Sequence, residues 1–212
     1  MTAADQAPAA LPDAWFERID AGDDAQFYSL PRLVTHIDDA TIAMLTAYYA
    51  EALPARGALL DLMSSCVSHL PPERDWSRVV GLGMNAEELA ANPRLTERVV
   101  QNLNREPTLP FETASFAAVM IVVSVQYLTR PVEVFREIAR VLEPGGRVIV
   151  AMSHRCFPTK AVRAFRELDA ADRVRLVSAY CELAGGFEVA EFLDRSPWQA
   201  DPLWIVTATR SG

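Results

Sequence analysis

Side chains able to do chemistry fall into four short stretches of the chain. The densest is Ser153-His154-Arg155-Cys156-Phe157-Pro158-Thr159-Lys160. His154 suits a general base because imidazole titrates near neutral pH. Arg155 offers a planar fork of donors that can clamp an acidic group on a substrate. Cys156 has no base partner identifiable by sequence, so no thiol nucleophile is expected. A second stretch, Leu59-Leu60-Asp61-Leu62-Met63-Ser64-Ser65, runs apolar into an aspartate and then into small hydroxyl residues. A strand delivers backbone to a nucleotide-binding turn in this way, but the glycines such turns use are missing. Asn102-Leu103-Asn104 and Ser124-Val125-Gln126-Tyr127 end two further apolar runs with amide, hydroxyl and phenol groups. Each stretch also has a plain structural reading, as a solvated loop, a helix start or a turn in which Asn satisfies nearby backbone.

The elements that must position these groups alternate. Apolar runs predict strands over 58–63, 77–83, 98–104, 116–125, 147–153, 187–193 and 203–210. Helical spacing predicts helices over 38–52, 84–95 and 129–142, the last with Pro131 in its first turn, and one or two helices over 160–185. Glu143-Pro144-Gly145-Gly146 marks a stop and turn. Alternating strands and helices imply parallel crossovers and a sheet covered on both faces. The last two strands have no helix between them and predict an antiparallel hairpin at one edge. Ligands of such sheets bind beyond the carboxyl ends of the central strands, where the four stretches fall. Residues 1–37 are expected to form an N-terminal cap segment, mobile over the Ala/Pro-rich 1–12, and residues 38–212 the α/β domain. Trp15, Tyr28, His36, Tyr48 and Tyr49 attach that segment to the sheet or form a lid over the site.

Bulk properties narrow the function. The 212 residues suit one domain with a sizeable core. Net charge is −8, and no dense Lys/Arg cluster appears, so nucleic acid is not expected as a partner. The start lacks the pattern of a signal peptide, and no apolar run is long enough to span a bilayer. Cys66, Cys156 and Cys181 are odd in number and lack metal-like spacing, which predicts a reducing cytoplasm, no disulfides and no metal site. A homodimer is an option the sequence leaves open.

The segment LPFETASFAAVMIVVSVQYLTRPVEVFREIARVLEPGGRVIV, 109–150, resembles the class I S-adenosylmethionine-dependent methyltransferases of the small single-domain kind. That family shows LPF, an SF-plus-apolar strand, and E-x-x-R-V-L-x-P-G-G before its fifth strand. The resemblance covers roughly residues 40–210. It implies a Rossmann-like fold with a mostly parallel seven-stranded sheet, a C-terminal antiparallel hairpin and helices on both faces. It also implies S-adenosyl-L-methionine as cofactor and a small-molecule methyl acceptor.

The family's cofactor motifs are altered. Its first turn is D-x-G-x-G-like; here Asp61-Leu62 matches, but Met63, Ser65 and Val67 stand where glycines are usual. Asp61 would orient the ligand's ammonium group, with Ser64 and Ser65 donating hydroxyl hydrogen bonds to its carboxylate. After strand two the family has an acidic residue for the ribose hydroxyls; here Gly83 holds that place, and Asn85 supplies a nearby acceptor. After strand three Asn102 stands for the adenine-binding aspartate, with Leu103 against the ring. Ser124 and Tyr127 would face the reacting methyl. A binding site rebuilt from Ser and Asn is therefore expected. Two rival activities fit the same fold: intramolecular displacement at the cofactor's amino-acid side chain, and binding without catalysis.

Overall fold

Seven runs of apolar residues become seven strands of one sheet in the order β3-β2-β1-β4-β5-β7-β6. The structure, a computed structural model, describes residues 10–212. The expected mobility of residues 1–12 therefore falls, for 1–9, outside the described residues. The strands are β1 (Leu59–Leu62), β2 (Val79–Gly83), β3 (Glu97–Val100), β4 (Phe116–Val122), β5 (Leu142–Met152), β6 (Glu191–Asp194) and β7 (Trp204–Thr209). The helices are α1 (Asp24–Phe27), α2 (Asp39–Ala52), α3 (Ala86–Ala91), α4 (Pro131–Val141), α5 (Arg163–Glu167) and α6 (Ala170–Ala184). Strands β1 to β5 run parallel, and β7 runs antiparallel to both β5 and β6.

Alternation along each strand splits the core in two. Leu60, Leu62, Val119, Ile121, Val148 and Val150 pack with Phe135 and Ile138 of α4 and Tyr180 of α6. Leu59, Ala118, Met120, Ile149 and Ala151 pack with Leu45, Tyr48 and Tyr49 of α2. Both faces are thus covered, as continuous apolar strands require. Asp38 starts α2 by accepting from the Thr41 N–H, and Asp169 starts α6 by accepting from the Asp172 N–H, so the 160–185 segment is two helices.

Several boundaries differ from expectation: the strand expected over 187–193 is Glu191–Asp194, the helix expected over 84–95 is Ala86–Ala91, and the strand expected over 116–125 ends at Val122. Glu143–Gly146 does not separate α4 from β5. Leu142 already pairs with Phe116 and Arg147 with Ala118, so the Glu-Pro-Gly-Gly turn is a bulge within the strand, with Gly145 at φ 76°. The third strand stops at Val100, short of the expected 104. Gln101 keeps one backbone bond, to Gly83 O, and the Asn102 side chain then accepts from the Asn104 N–H, which turns the chain out of the sheet.

Candidate functional site

The strand order reverses direction between β1 and β4. A crevice opens there beyond the strands' carboxyl ends, holding a cavity of about 340 Å³. Its floor is the turn after β1. Asp61 is buried, and its Oδ2 accepts from Ser64 Oγ at 2.7 Å and Ser68 Oγ at 2.6 Å. Oδ1 accepts no hydrogen bond among the described residues. Burial outweighs the two hydroxyls and pushes this carboxyl up to about 6. Where the resembling family carries glycine, Met63 sits at φ 59°, and β-branched Val123 at the end of β4 sits at φ 47°. Left-handed backbone at such residues costs of order 1–3 kcal/mol each and gathers at functional sites.

Gly83 ends β2 beside this turn. A Cβ built there would lie 2.3 Å from Ser64 O and 3.2 Å from Leu89 Cδ2. The close approach follows from the Ser64 N–H, which donates to Leu82 O at 2.8 Å. No side chain, acidic or otherwise, fits at 83. A carboxylate nevertheless enters the crevice from α3. Glu88 is buried, accepts from Ser65 Oγ at 2.6 Å through Oε2, and accepts from the Arg32 N–H at 2.7 Å through Oε1. Two serines of the first turn thus each hold one carboxylate, Ser64 that of Asp61 and Ser65 that of Glu88.

Asn102 and Leu103 line the cavity past β3, and Ser124 and Tyr127 past β4. Ser124 is only 8% exposed, and its Oγ has no hydrogen-bond partner among the described residues. Buried hydroxyls are almost always bonded, so this one suits a ligand atom. Tyr127 Oη accepts from the Phe157 N–H at 2.8 Å, and burial pushes the phenol up to about 12, so it works as an acceptor rather than a base. Its ring stacks on Phe157 at 5.9 Å.

The remaining wall is the segment before α2. Asp24 binds Arg18 at 2.6 Å and Lys160 at 3.1 Å, and accepts from Asn104 Nδ2 at 2.9 Å. Lys160 is 1% exposed and also reaches Asp20 and Gly22 O. Farther along, the Arg32 guanidinium lies over Phe27, at 4.5 Å, and over Phe157, at 5.2 Å. His36 meets Phe157 edge-on at 5.7 Å.

This crevice, topology and strand-five approach coincide with a match of residues 50–150 to the methyltransferase domain. Over residues 50–150 the chain is similar to that family. The sheet is the Rossmann-like fold of class I methyltransferases, and solved structures agree at the level of fold. The [4+2]-cyclase SpnF aligns with TM-score 0.59 and 17% identity over 79% of this chain and 80% of its own. An S-adenosylmethionine dependent methyltransferase from Mesorhizobium loti aligns with TM-score 0.55 and 15% identity over 79% and 98%. A Haemonchus contortus phosphoethanolamine N-methyltransferase 2, solved with S-adenosyl-L-methionine, aligns with TM-score 0.52 and 14% identity over 81% and 52%. No curated protein is significantly similar in sequence.

The structure brings Asp61, Ser64, Ser65, Gly83, Asn102, Leu103, Ser124, Tyr127 and Arg155 to one cavity. His154 and Asn85 are not among its lining residues. His154 turns outward, 52% exposed, with Nε2 3.2 Å from Asp201 Oδ1. Arg155 reaches the cavity wall, but its Nε donates to both Asp201 oxygens at 3.0 Å. Asp201 is buried and exchanges hydrogen bonds with Asp38, so this cluster fastens the loop after β5 to the start of α2. Asn85 caps α3, accepting from the Glu87 and Glu88 N–H groups, while its amide donates to Tyr28 O and Ser29 O. Asp24 and Arg18 line the cavity without any motif pointing to them, and Glu88, which follows Gly83 closely in sequence, lines it together with His36 of the N-terminal segment. For Glu88 a signal existed. It stands three residues after an Asn cap, where a carboxylate is normally taken to complete the cap. Here it faces the crevice instead. Among the described residues, no helix is long and apolar enough to cross a membrane and no group of three or more ligating side chains could hold a metal ion.

Proposed function

We propose that this protein binds S-adenosyl-L-methionine in the crevice and transfers its methyl group to a small-molecule acceptor. The observation that carries the reading is the pair of buried carboxylates held by adjacent serines, Asp61 by Ser64 and Glu88 by Ser65. An amino acid joined to a nucleoside needs one anionic partner for its ammonium and one acceptor for its ribose hydroxyls. Asp61 holds the ammonium through the unpartnered Oδ1. Glu88 accepts from the ribose, doing from α3 what the family does from the position of Gly83. Asn102 and Leu103 hold the adenine, and Ser124 Oγ donates to the ligand near the end of β4. When bound, the cofactor supplies an electrophilic methyl group on a sulfonium. The chain's contribution is alignment and exclusion of water by the Asp24–Phe157 wall, which is why no conspicuous triad is needed.

Calorimetry with S-adenosylmethionine and S-adenosylhomocysteine tests the reading: neither heat nor thermal protection at saturation would end it. Product analysis separates the activities, since transfer leaves S-adenosylhomocysteine and side-chain displacement leaves methylthioadenosine. Glu88→Gln should weaken S-adenosylhomocysteine binding by roughly tenfold to a hundredfold, the value of a charge-assisted hydrogen bond. The wild type should also prefer the ribose ligand to its 2′,3′-dideoxy analogue, and the variant should not. Preference retained in the variant would remove Glu88 from the ribose site.

Asp61 gives the binding a pH signature. Its folded-state carboxyl is raised to about 6, so the free protein still holds that proton where the unfolded chain has lost it. Stability therefore falls as pH rises from about 4 to 6 and stays reduced above that. Pairing with an ammonium requires the ionised form. Affinity should thus drop about tenfold per pH unit below 6 and level off above it. Asp61→Asn should bind weakly and show no such slope. A slope that survives in the variant would assign the proton elsewhere.

A further inference from the structure

The carboxylate of the cofactor's amino acid lies one carbon from its ammonium and needs donors of its own. The inference drawn from this need rests on the cofactor reading above. Ser64 and Ser65 are expected from the sequence to supply those donors, but the structure commits both elsewhere. A hydroxyl has one proton to donate. That of Ser64 goes to Asp61 Oδ2, that of Ser65 to Glu88 Oε2, and that of Ser68 again to Asp61 Oδ2. A helix start after β1 would offer an anion its first N–H groups. Here β1 runs into β2 through residues 63–78 without a helix. The cations lining the cavity are engaged as well, Arg18 by Asp24 at 2.6 Å and Arg155 by Asp201 at 3.0 Å. Arg32 has no carboxylate partner among the described residues. Its guanidinium lies over Phe27, Tyr28 and Phe157 and donates to Phe27 O at 2.9 Å, and Arg32 is not among the residues that line the cavity.

One polar side chain of the turn after β1 is uncommitted. His69 lines the cavity, and its Nδ1 is buried with no hydrogen-bond partner among the described residues. Buried polar atoms are almost always paired. The position is also held in place. His69 sits at φ 53°, and left-handed backbone of this kind gathers at ligand sites. Its carbonyl accepts from Thr46 Oγ1 of α2 at 3.0 Å. The buried Asn92 amide donates to Ser65 O at 3.0 Å and to Ser68 Oγ at 2.8 Å, which fixes the chain on either side of Val67. Ser68 in turn touches Asp61 at 2.6 Å, so His69 directly follows a residue bound to the ammonium's partner. Burial, and then the neighbouring His36, pushes the His69 imidazole down to about 4. It therefore meets a carboxylate at physiological pH as a neutral N–H donor, not as a cation.

We infer that the His69 imidazole donates a hydrogen bond to the carboxylate of the cofactor's amino acid. The turn after β1 then holds both charged groups of that amino acid, the ammonium on Asp61 and the carboxylate on His69. The site thereby selects ligands that keep their carboxylate.

The test is calorimetry on the full chain with two ligands. One is S-adenosylhomocysteine; the other is its decarboxylated analogue, which keeps the ribose and the ammonium. Wild type should prefer the first by about tenfold to a hundredfold, the value of one hydrogen bond to a charged group. His69→Gly removes the imidazole at a place where left-handed backbone suits glycine, so the turn should keep its shape. The variant should bind S-adenosylhomocysteine about tenfold or more weakly, bind the analogue within about threefold of wild type, and lose most of the preference. Equal weakening of both ligands would make the role of His69 structural and overturn the inference, as would an unchanged preference. A preference lost in Arg32→Gln and kept in His69→Gly would move the carboxylate to Arg32 and overturn it too. Failure of wild type to bind either ligand overturns the cofactor reading and this inference with it. Binding of both ligands by wild type without preference overturns this inference alone.

Discussion

Replacing Gly83 with aspartate should not restore a ribose carboxylate; it should destabilise the fold by at least about 3 kcal/mol and abolish cofactor binding. The reason is steric rather than conformational, because Gly83 does not occupy left-handed backbone. Its missing Cβ makes room for Ser64 O at 2.3 Å, and backbone cannot yield as the end of a flexible side chain can. Moving Ser64 away breaks its N–H bond to Leu82 O and carries off the hydroxyl that holds Asp61. It also drags Ser65 from Glu88. One added carboxylate thereby removes the support of two. Gly83→Ala should show most of the same loss in urea denaturation, because the first carbon already collides. A near-wild-type midpoint for Gly83→Ala would mean that the turn is free to move, and the account of why the acid sits at 88 would fail. Gly83→Asp with Glu88→Met, the arrangement closer to the resembling family, should be no more stable than Gly83→Asp alone.

What was legible in the sequence was what depends on local rhythm. The strands, their parallel direction and the closing hairpin follow from apolar runs separated by helical spacing, whereas their order in the sheet does not. Interactions across long stretches of chain were not legible. Glu88 follows Gly83 closely in sequence, but only the approach of Ser65 and of the Arg32 N–H, 56 residues away in sequence, places its carboxylate in the crevice. His154 looked reactive by composition, yet the chain past β5 turns its ring out to Asp201, a residue 47 positions later that no motif ties to it. Lys160 shows the same limit. A lysine in a polar loop is expected in solvent, but here it is 1% exposed, because Asp20 and Asp24 from the N-terminal segment meet it. Pairing of this kind is set by tertiary approach, and residue type alone does not reveal it.

That burial sets the second large effect. Asp24→Ala should cost about 3–5 kcal/mol, the range for stripping one partner from a buried ion pair. The variant leaves the Lys160 ammonium with Gly22 O and Asp20, which is 42% exposed, leaves Arg18 without its carboxylate and leaves the Asn104 amide with Tyr127 O alone. The size of the loss measures the orphaned charge more than the value of the original pair. Replacing both charges by apolar groups therefore separates the two. Asp24→Leu with Lys160→Met should be at least about 1 kcal/mol more stable than the sum of its single variants predicts, because neither charge is then left alone in the interior. Strict additivity would mean that Lys160 is satisfied by Asp20 and Gly22 O, and that Asp24 does not fix this wall. The double variant also bears on function. Asp24 joins the N-terminal segment to Asn104 past β3 and to Lys160 past β5, so its loss should release S-adenosylhomocysteine faster while the carboxylates at 61 and 88 stay in place. A faster off-rate with an unchanged on-rate would identify the wall as a barrier to ligand escape, and equal off-rates would show that the cofactor leaves by a route the segment does not cover.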